Sequence, residues 1–362
     1  MTAGEREALS YAVKKAFEHS GWRSKEAAYP RCRITRVDVP GDTSRRWIIT
    51  VPALGDAPER QVFAKHYSLA SKFRQDVANE FRGLQITYGA FRSSERFKVP
   101  EPYWFDEDRR VILMEYCPSV TLSRWLFHRV RWSRFLSFSG HQREAFHDFA
   151  QAGSLLAQFQ AIPASLVQTL QREREPAADD ILFRYKETFL RNLEACKTAG
   201  LSRVLLDRVR DYVCERLQIQ ARIEIVVQHS DFGPWNLLRG RKYLYLVDFH
   251  NFTTGFRTHD VAYFHAALDS WNRFWTVDES TLHEAKGQFL SAFLGESEGA
   301  CRAALDRTGM EALPLFRELR IVHMAYFARI ALSRRRSVRE LAYAPIPCRR
   351  FFRQWFERET AG

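Results

Sequence analysis

The residue pattern predicts an α+β chain of two lobes, a small one on an antiparallel sheet and a larger, mainly helical one. Three observations carry this. Strand-like runs separated by turn chemistry crowd the first 116 of the 362 residues. Stretches with apolar residues at helical spacing dominate thereafter. A chain of 362 residues can bury one large core or two modest ones, so two lobes need no further domain. The expected division is a β-rich lobe over 1–116 and a helical lobe over 117–362.

In chain order, the first element is an amphipathic helix with Leu9, Ala12, Val13 and Phe17 at helical spacing. The early acids Glu5 and Glu7 argue against a secretory signal. Cys32–Val39, Trp47–Val51 and Gln61–Tyr67 read as strands, and the turn-formers PGDTS and PALGDAPE between them predict an antiparallel meander. A helix from about Lys72 to Ala90 follows. Val111–Tyr116 (VILMEY) reads as a buried strand, and a helix begins after Pro118. Glu144–Ile162 and Asp180–Gln220 read as long amphipathic helices around the polar stretch QREREPAADD. Thr258, in THD, is placed to cap a later helix.

Hydrophobic content of 46% and charged content of 27% describe a globular protein, and no apolar run approaches the ~20 residues of a membrane span. Six scattered cysteines with no CxxC spacing read as free thiols in a reducing cytosol. The net charge of +12 and pI near 9.6 attract anionic partners. Two basic-aromatic regions stand out: RWLFHRVRWSR over Arg124–Arg134, and SRRRSVRE followed by CRRFFRQWFER. They fit an anionic membrane face, a nucleic-acid backbone, or ordinary helices with aromatics inward and arginines in water. Of these partners, nucleic acid is the one the sequence favours least.

The stretch that carries chemistry is His229–Phe249, HSDFGPWNLLRGRKYLYLVDF. Gly233 and Pro234 break any helix, so His229, Asp231 and Asn236 lie on a turn; the apolar run LYLV then reads as a strand delivering Asp248. Two carboxylates and an amide so presented suit phosphoryl transfer: one carboxylate near an acceptor hydroxyl, and an Asp with an Asn for Mg²⁺. His250, Asn251, His259 and His265 lack metal-type spacing.

His-x-Asp-x-x-x-x-Asn followed by a hydrophobic residue and Asp-Phe resembles the catalytic and metal loops of the protein-kinase-like superfamily. HSDFGPWNLL is most similar to its aminoglycoside phosphotransferase branch. The resemblance implies a bilobed protein-kinase-like fold, with ATP between the lobes, Asp231 as catalytic base, Asn236 and Asp248 on Mg²⁺, and His229 and Asp260 supporting the catalytic loop. It also implies that Lys65 on the third strand grips the phosphates, that Glu80 on the next helix pairs with it, and that the backbone of Met114, Glu115, Tyr116 and Cys117 meets the adenine. The chain departs from protein kinases in two places. PGDTSRR (Pro40–Arg46) replaces the glycine loop, with Thr43 and Ser44 as candidate phosphate contacts, and His250 replaces the Gly after Asp-Phe, which argues against a mobile switch.

The expected function is an ATP- and Mg²⁺-dependent phosphotransferase acting on a hydroxyl of a small molecule or glycan. The basic balance points to an anionic or amphiphilic acceptor, such as a sugar of an envelope glycolipid like lipopolysaccharide core. The expected location is cytoplasmic, with a peripheral position at the inner membrane face as a variant. The alternative is a catalytically silent nucleotide-binding or anionic-partner-binding module.

Overall fold

The computed structural model describes residues 3–19, 32–37, 44–52, 59–67, 74–130, 139–171, 177–218, 223–273, 277–295, 313–333 and 348–361. Several sequence expectations lie outside them: the turn Pro40–Thr43, Trp132–Arg134, Arg334–Glu340 and Cys301. The chain divides into two compact units. One comprises Met1–Val120 and Leu238–Phe252, the other Thr121–Leu237 and Thr253–Gly362. The first unit thus takes back a later segment, the one bearing Asp248, which a single cut after residue 116 does not provide for.

In the first unit, α1 (Ala3–His19) precedes β1 (Arg33–Val37), β2 (Ser44–Val51), β3 (Arg60–Tyr67), α2 (Arg74–Phe91), β4 (Phe97–Lys98), β5 (Pro102–Asp106) and β6 (Val111–Glu115). The sheet order is β1-β2-β3-β6-β5, and every pairing is antiparallel. The expected meander is therefore present, with β5 as a strand that the sequence pattern did not reveal. Leu9, Ala12 and Val13 of α1 are buried against Trp47, Ile49, Val62, Ala64 and Leu113, forming the core on one face of the sheet. Side chains alternate along a strand, so on β3 Val62 and Ala64 feed that core while Lys65 points to the other face.

That other face meets α2, where Phe81 stacks on Phe105 of β5 at 4.5 Å between ring centroids. Gly83, also on α2, has no room for a side chain: a Cβ there would sit 2.7–2.8 Å from Phe252. The returning segment contributes β10 (Leu244–Leu246), which runs parallel to β4 with Leu244 opposite Phe97. The strand ends before Asp248, so this residue is delivered by the loop beyond the strand rather than by the strand itself.

In the second unit, α3 (Leu122–Val130), α4 (Ser139–Gln160), α5 (Ala164–Gln171), α6 (Ala178–Thr198) and α7 (Arg203–Arg216) precede β8 (Ile225–Gln228). The helical run expected over Asp180–Gln220 is broken at Gly200, whose φ of 93° lies in the left-handed region that glycine adopts without penalty. Strand β8 pairs antiparallel with β11 (Thr253–Phe256), which leads into α8 (Thr258–Asp269), a helix with every residue buried. Thr258 is the first residue of α8 and not its cap; Arg257 holds the cap position without a side-chain bond, because the chain enters already in helical geometry.

Helices α9 (Glu279–Leu294), α10 (Phe316–Ser333) and α11 (Cys348–Glu359) complete the described unit. Asp269 of α8 ties α9 and α10 together through Lys286 at 2.6 Å and Arg320 at 3.6 Å. Of the two basic-aromatic helices, α11 turns most of its rings inward, while Trp125 and Phe127 of α3 are half-buried. Trp125 of α3 donates to Asp148 at 2.7 Å, and Phe352, Trp355 and Phe356 of α11 are buried. Their arginines stay in water or pair with acids, as Arg353 does with Glu357 at 2.9 Å. Among the described residues, no helix is long and apolar enough to cross a membrane, and Cys117, Cys196 and Cys348 are buried free thiols while Cys32 and Cys214 are partly exposed.

Candidate active site

Two clusters emerge, one in each unit. The first centres on Lys65, which is 4% exposed. Its ammonium donates to both oxygens of Glu80 at 3.0 Å and to Asp248 Oδ1 at 2.7 Å. Three elements thus converge on one cation: β3, α2 and the loop after β10. Helix α2 also fastens the loop itself, since Asn79 Nδ2 donates to the carbonyls of His250 (3.1 Å) and Phe252 (2.8 Å). Asn79 and Gly83 are one turn apart on α2 and so share a face; one binds the loop and the other lets Phe252 close on the helix.

The charges in this cluster are interdependent. Burial works hardest on Lys65 and pulls its pKa down, yet Asp248 and then Glu80 outweigh it and hold the ammonium above its usual value. Asp248 is likewise penalised by burial, but Lys65 and His250 hold its carboxyl well below the usual carboxylate range. Burial, with the like charge of Asp248, pushes Glu80 up against the pull of Lys65. One cation faces two carboxylates, so the more buried one binds its proton more tightly. His250 Nδ1 lies 2.8 Å from Asp248 Oδ1, and that partnership raises the imidazole's pKa despite burial. Arg46 of β2, opposite Lys65 in the strand register, approaches Asp248 at 3.9 Å. Asp248 itself has φ = 72°, a conformation uncommon for residues other than glycine.

At the expected adenine contacts, Met114 pairs with Phe63 of β3, Glu115 N–H donates to the Glu101 carbonyl (2.9 Å) and Tyr116 N–H to that of Gln61 (3.4 Å). Ser119 Oγ donates to the carbonyl of Cys117 at 2.9 Å.

The second cluster is the turn after β8. Asp260, in the first turn of α8, accepts from the backbone N–H of His229 and of Ser230, each at 2.9 Å. Ser230 has φ = 62°, and these two bonds hold a backbone geometry that serine rarely adopts. Burial pushes the Asp260 carboxyl up to about 7 against the pull of the two N–H groups. His229 is fully buried between Phe159 and Phe232, each 6.2 Å away between ring centroids.

The Asp231 carboxylate carries three donors. Asn236 Nδ2 reaches Oδ2 at 2.9 Å and also the Asp231 carbonyl at 2.8 Å. The Trp235 indole reaches Oδ1 at 3.3 Å, and the Tyr263 hydroxyl donates to the same oxygen. The indole folds back over Gly233, where a Cβ would lie 2.3 Å from the ring. Nδ2 of Asn236 is thus committed twice to Asp231.

Lys65, Glu80 and Asp248 are thus brought together in the first unit, and His229, Asp231, Asn236 and Asp260 in the second. The sequence reading missed Arg46, Asn79, Trp235 and Tyr263. A signal existed for Tyr263, which follows Asp260 by three residues and shares its helix face.

A family profile described as the phosphotransferase enzyme family (APH) matches residues 40–296. The chain belongs to that family. The fold is that of the protein-kinase-like small-molecule kinases. An ethanolamine kinase of Plasmodium vivax is 12% identical, with a TM-score of 0.52 over 96% of this chain and 86% of that one. A choline kinase of Cryptosporidium parvum is 11% identical, with a TM-score of 0.52 over 94% and 90%. An amicoumacin kinase solved in complex with AMP-PNP, Ca²⁺ and Ami is 15% identical, with a TM-score of 0.52 over 96% of each chain. A comparison with curated protein sequences finds no match.

Proposed function

We propose that this phosphotransferase moves the γ-phosphoryl group of ATP, as its Mg²⁺ complex, to a hydroxyl of a small molecule. The observation that carries this reading is the Asp231 carboxylate, oriented by three donors on a turn whose backbone Asp260 clamps. A carboxylate so fixed can receive the proton of an incoming hydroxyl.

The residues present fit a hard divalent cation. Asp248 is held ionised, and Asn236 has its amide nitrogen committed, so each offers an oxygen of the kind Mg²⁺ takes. Bound there, the metal would neutralise charge on the phosphates. Lys65, kept charged by Asp248 and steadied by Glu80, binds phosphate oxygens. Asp231 orients the acceptor hydroxyl and takes its proton as the new O–P bond forms. The bond from the γ-phosphorus to the bridging oxygen breaks, and ADP leaves with that electron pair.

The acceptor class is supported only as far as a small hydroxyl-bearing molecule. A glycolipid sugar or a membrane surface finds no support in the comparisons, and the buried rings of α11 are not presented to a membrane. Transfer from γ-labelled ATP tests the proposal, with soluble hydroxyl compounds and lipid-linked glycans run separately. We expect label in a soluble fraction, with Asp231→Asn lowering turnover roughly 10²–10⁴-fold. Thermal stabilisation by Mg·ATP with no transfer to any fraction would instead make the chain a silent nucleotide-binding module.

A further inference from the structure

One helix holds the Asp231 turn at two levels. Asp260 of α8 binds its backbone, and Tyr263, three residues on and on the same helix face, reaches the side chain of Asp231 itself. The Tyr263 ring is buried and fixed by its neighbours, with His323 at 5.0 Å, Phe327 at 5.3 Å and Trp235 at 5.9 Å between centroids. Its hydroxyl and the Trp235 indole both donate to Oδ1. A carboxylate oxygen has two lone-pair directions, so two donors converging on Oδ1 fix the rotation of the carboxylate.

We infer that Tyr263 is a positioning residue for phosphoryl transfer, fixing the rotation of the Asp231 carboxylate. The inference rests on the reading of Asp231 as the base. Burial and the adjacent Asp231 charge push the phenol well above its ordinary pKa, so the hydroxyl remains a donor throughout the working pH range.

The test is Tyr263→Phe in the full chain, which keeps the ring and deletes only the hydroxyl. Hydrolysis of γ-labelled Mg·ATP is followed at varied ATP concentration. We expect kcat to fall roughly ten- to hundredfold, the range of a lost hydrogen bond to a charged group. KM for ATP should stay unchanged. A role confined to packing would leave kcat unchanged, because the ring is kept.

A second variant carries fluorotyrosine at position 263. It preserves the ring and the donor and should keep kcat near the wild-type value, which separates loss of the hydroxyl from a disturbed ring. Unchanged kcat in Tyr263→Phe, or an equal loss in both variants, with Asp231→Asn inactive, overturns the inference alone. Wild-type hydrolysis by Asp231→Asn overturns the base assignment and the inference with it.

Discussion

The two clusters hold carboxylates by different means. In the first unit Asp248 and Glu80 are compensated by a buried cation, and each of the three groups comes from a separate element. In the second unit Asp231 is held by an amide, an indole and a phenol, and its turn hangs on backbone bonds to Asp260. Charge compensation tolerates small displacements but fails outright when one ion is removed. Directed donors act the other way: each can be lost singly, and each loss degrades geometry and basicity first. The first cluster is therefore built on charge balance, and the second on orientation.

Removing the cation should have the largest effect on stability. Lys65→Ala strands two carboxylates, and a broken buried pair costs about 3–5 kcal/mol. We expect a much lower denaturation midpoint, partly restored in Lys65→Ala/Glu80→Gln, where one stranded carboxylate is gone. A single variant as stable as wild type would mean that the cluster contributes no net charge compensation.

Acid should act on the second unit before the first. Burial lowers the His259 pKa to about 4, and holds those of His265 and His323 well below the usual value. Their folded pKa values lie below the unfolded one, so their stabilisation is full above about pH 6.5 and is lost as pH falls toward 4. For His259 alone this is on the order of 3 kcal/mol. Asp260 opposes the trend: its raised pKa gives stabilisation that is full below about pH 4 and is lost as pH rises through 7. Three histidines against one carboxyl leave a net loss on acidification. Asp248, held far below this window, keeps its charge there. Hydrogen exchange at decreasing pH should reveal opening of α8 and α10 before β3, and His259→Gln should flatten the pH profile of stability.

Loosening the clamp gives a smaller effect. Asp260→Asn removes one of two acceptors for the His229 and Ser230 N–H groups and should cost about 1–3 kcal/mol. It should lower kcat with little change in KM for ATP. An equal fall in nucleotide affinity would mean that the turn also serves the phosphate end. Gly83→Ala acts on packing and not on the clamp. Its new Cβ would press on Cβ and Cγ of the buried Phe252, and overpacking of this kind costs about 1–3 kcal/mol. Thermal melting is the measurement, and the loss should carry over to Mg·ATP stabilisation through the Asp248 loop.

Much of this was legible along the chain. The spacing of His229, Asp231 and Asn236 confines them to one turn, whereas Asp248, expected on a strand, lies in the loop beyond it. Strand alternation puts Lys65 on the face opposite Val62 and Ala64, and helical spacing marks the face of α1 that packs on the sheet. The fold class follows from these local periods, because period is what a short stretch of sequence encodes. Other features depended on neighbours far away in sequence. The sequence could not say that the rings of Phe352, Trp355 and Phe356 turn inward, since an amphipathic helix reads the same against a core or a lipid surface. Nor could it show that Asn79 ties down the His250–Phe252 loop, or that Thr258 begins its helix without capping it. Local pattern determined which groups are available to each cluster. Only tertiary packing decided which donor meets which oxygen, because a hydrogen bond depends on distance and angle between elements that the sequence holds far apart.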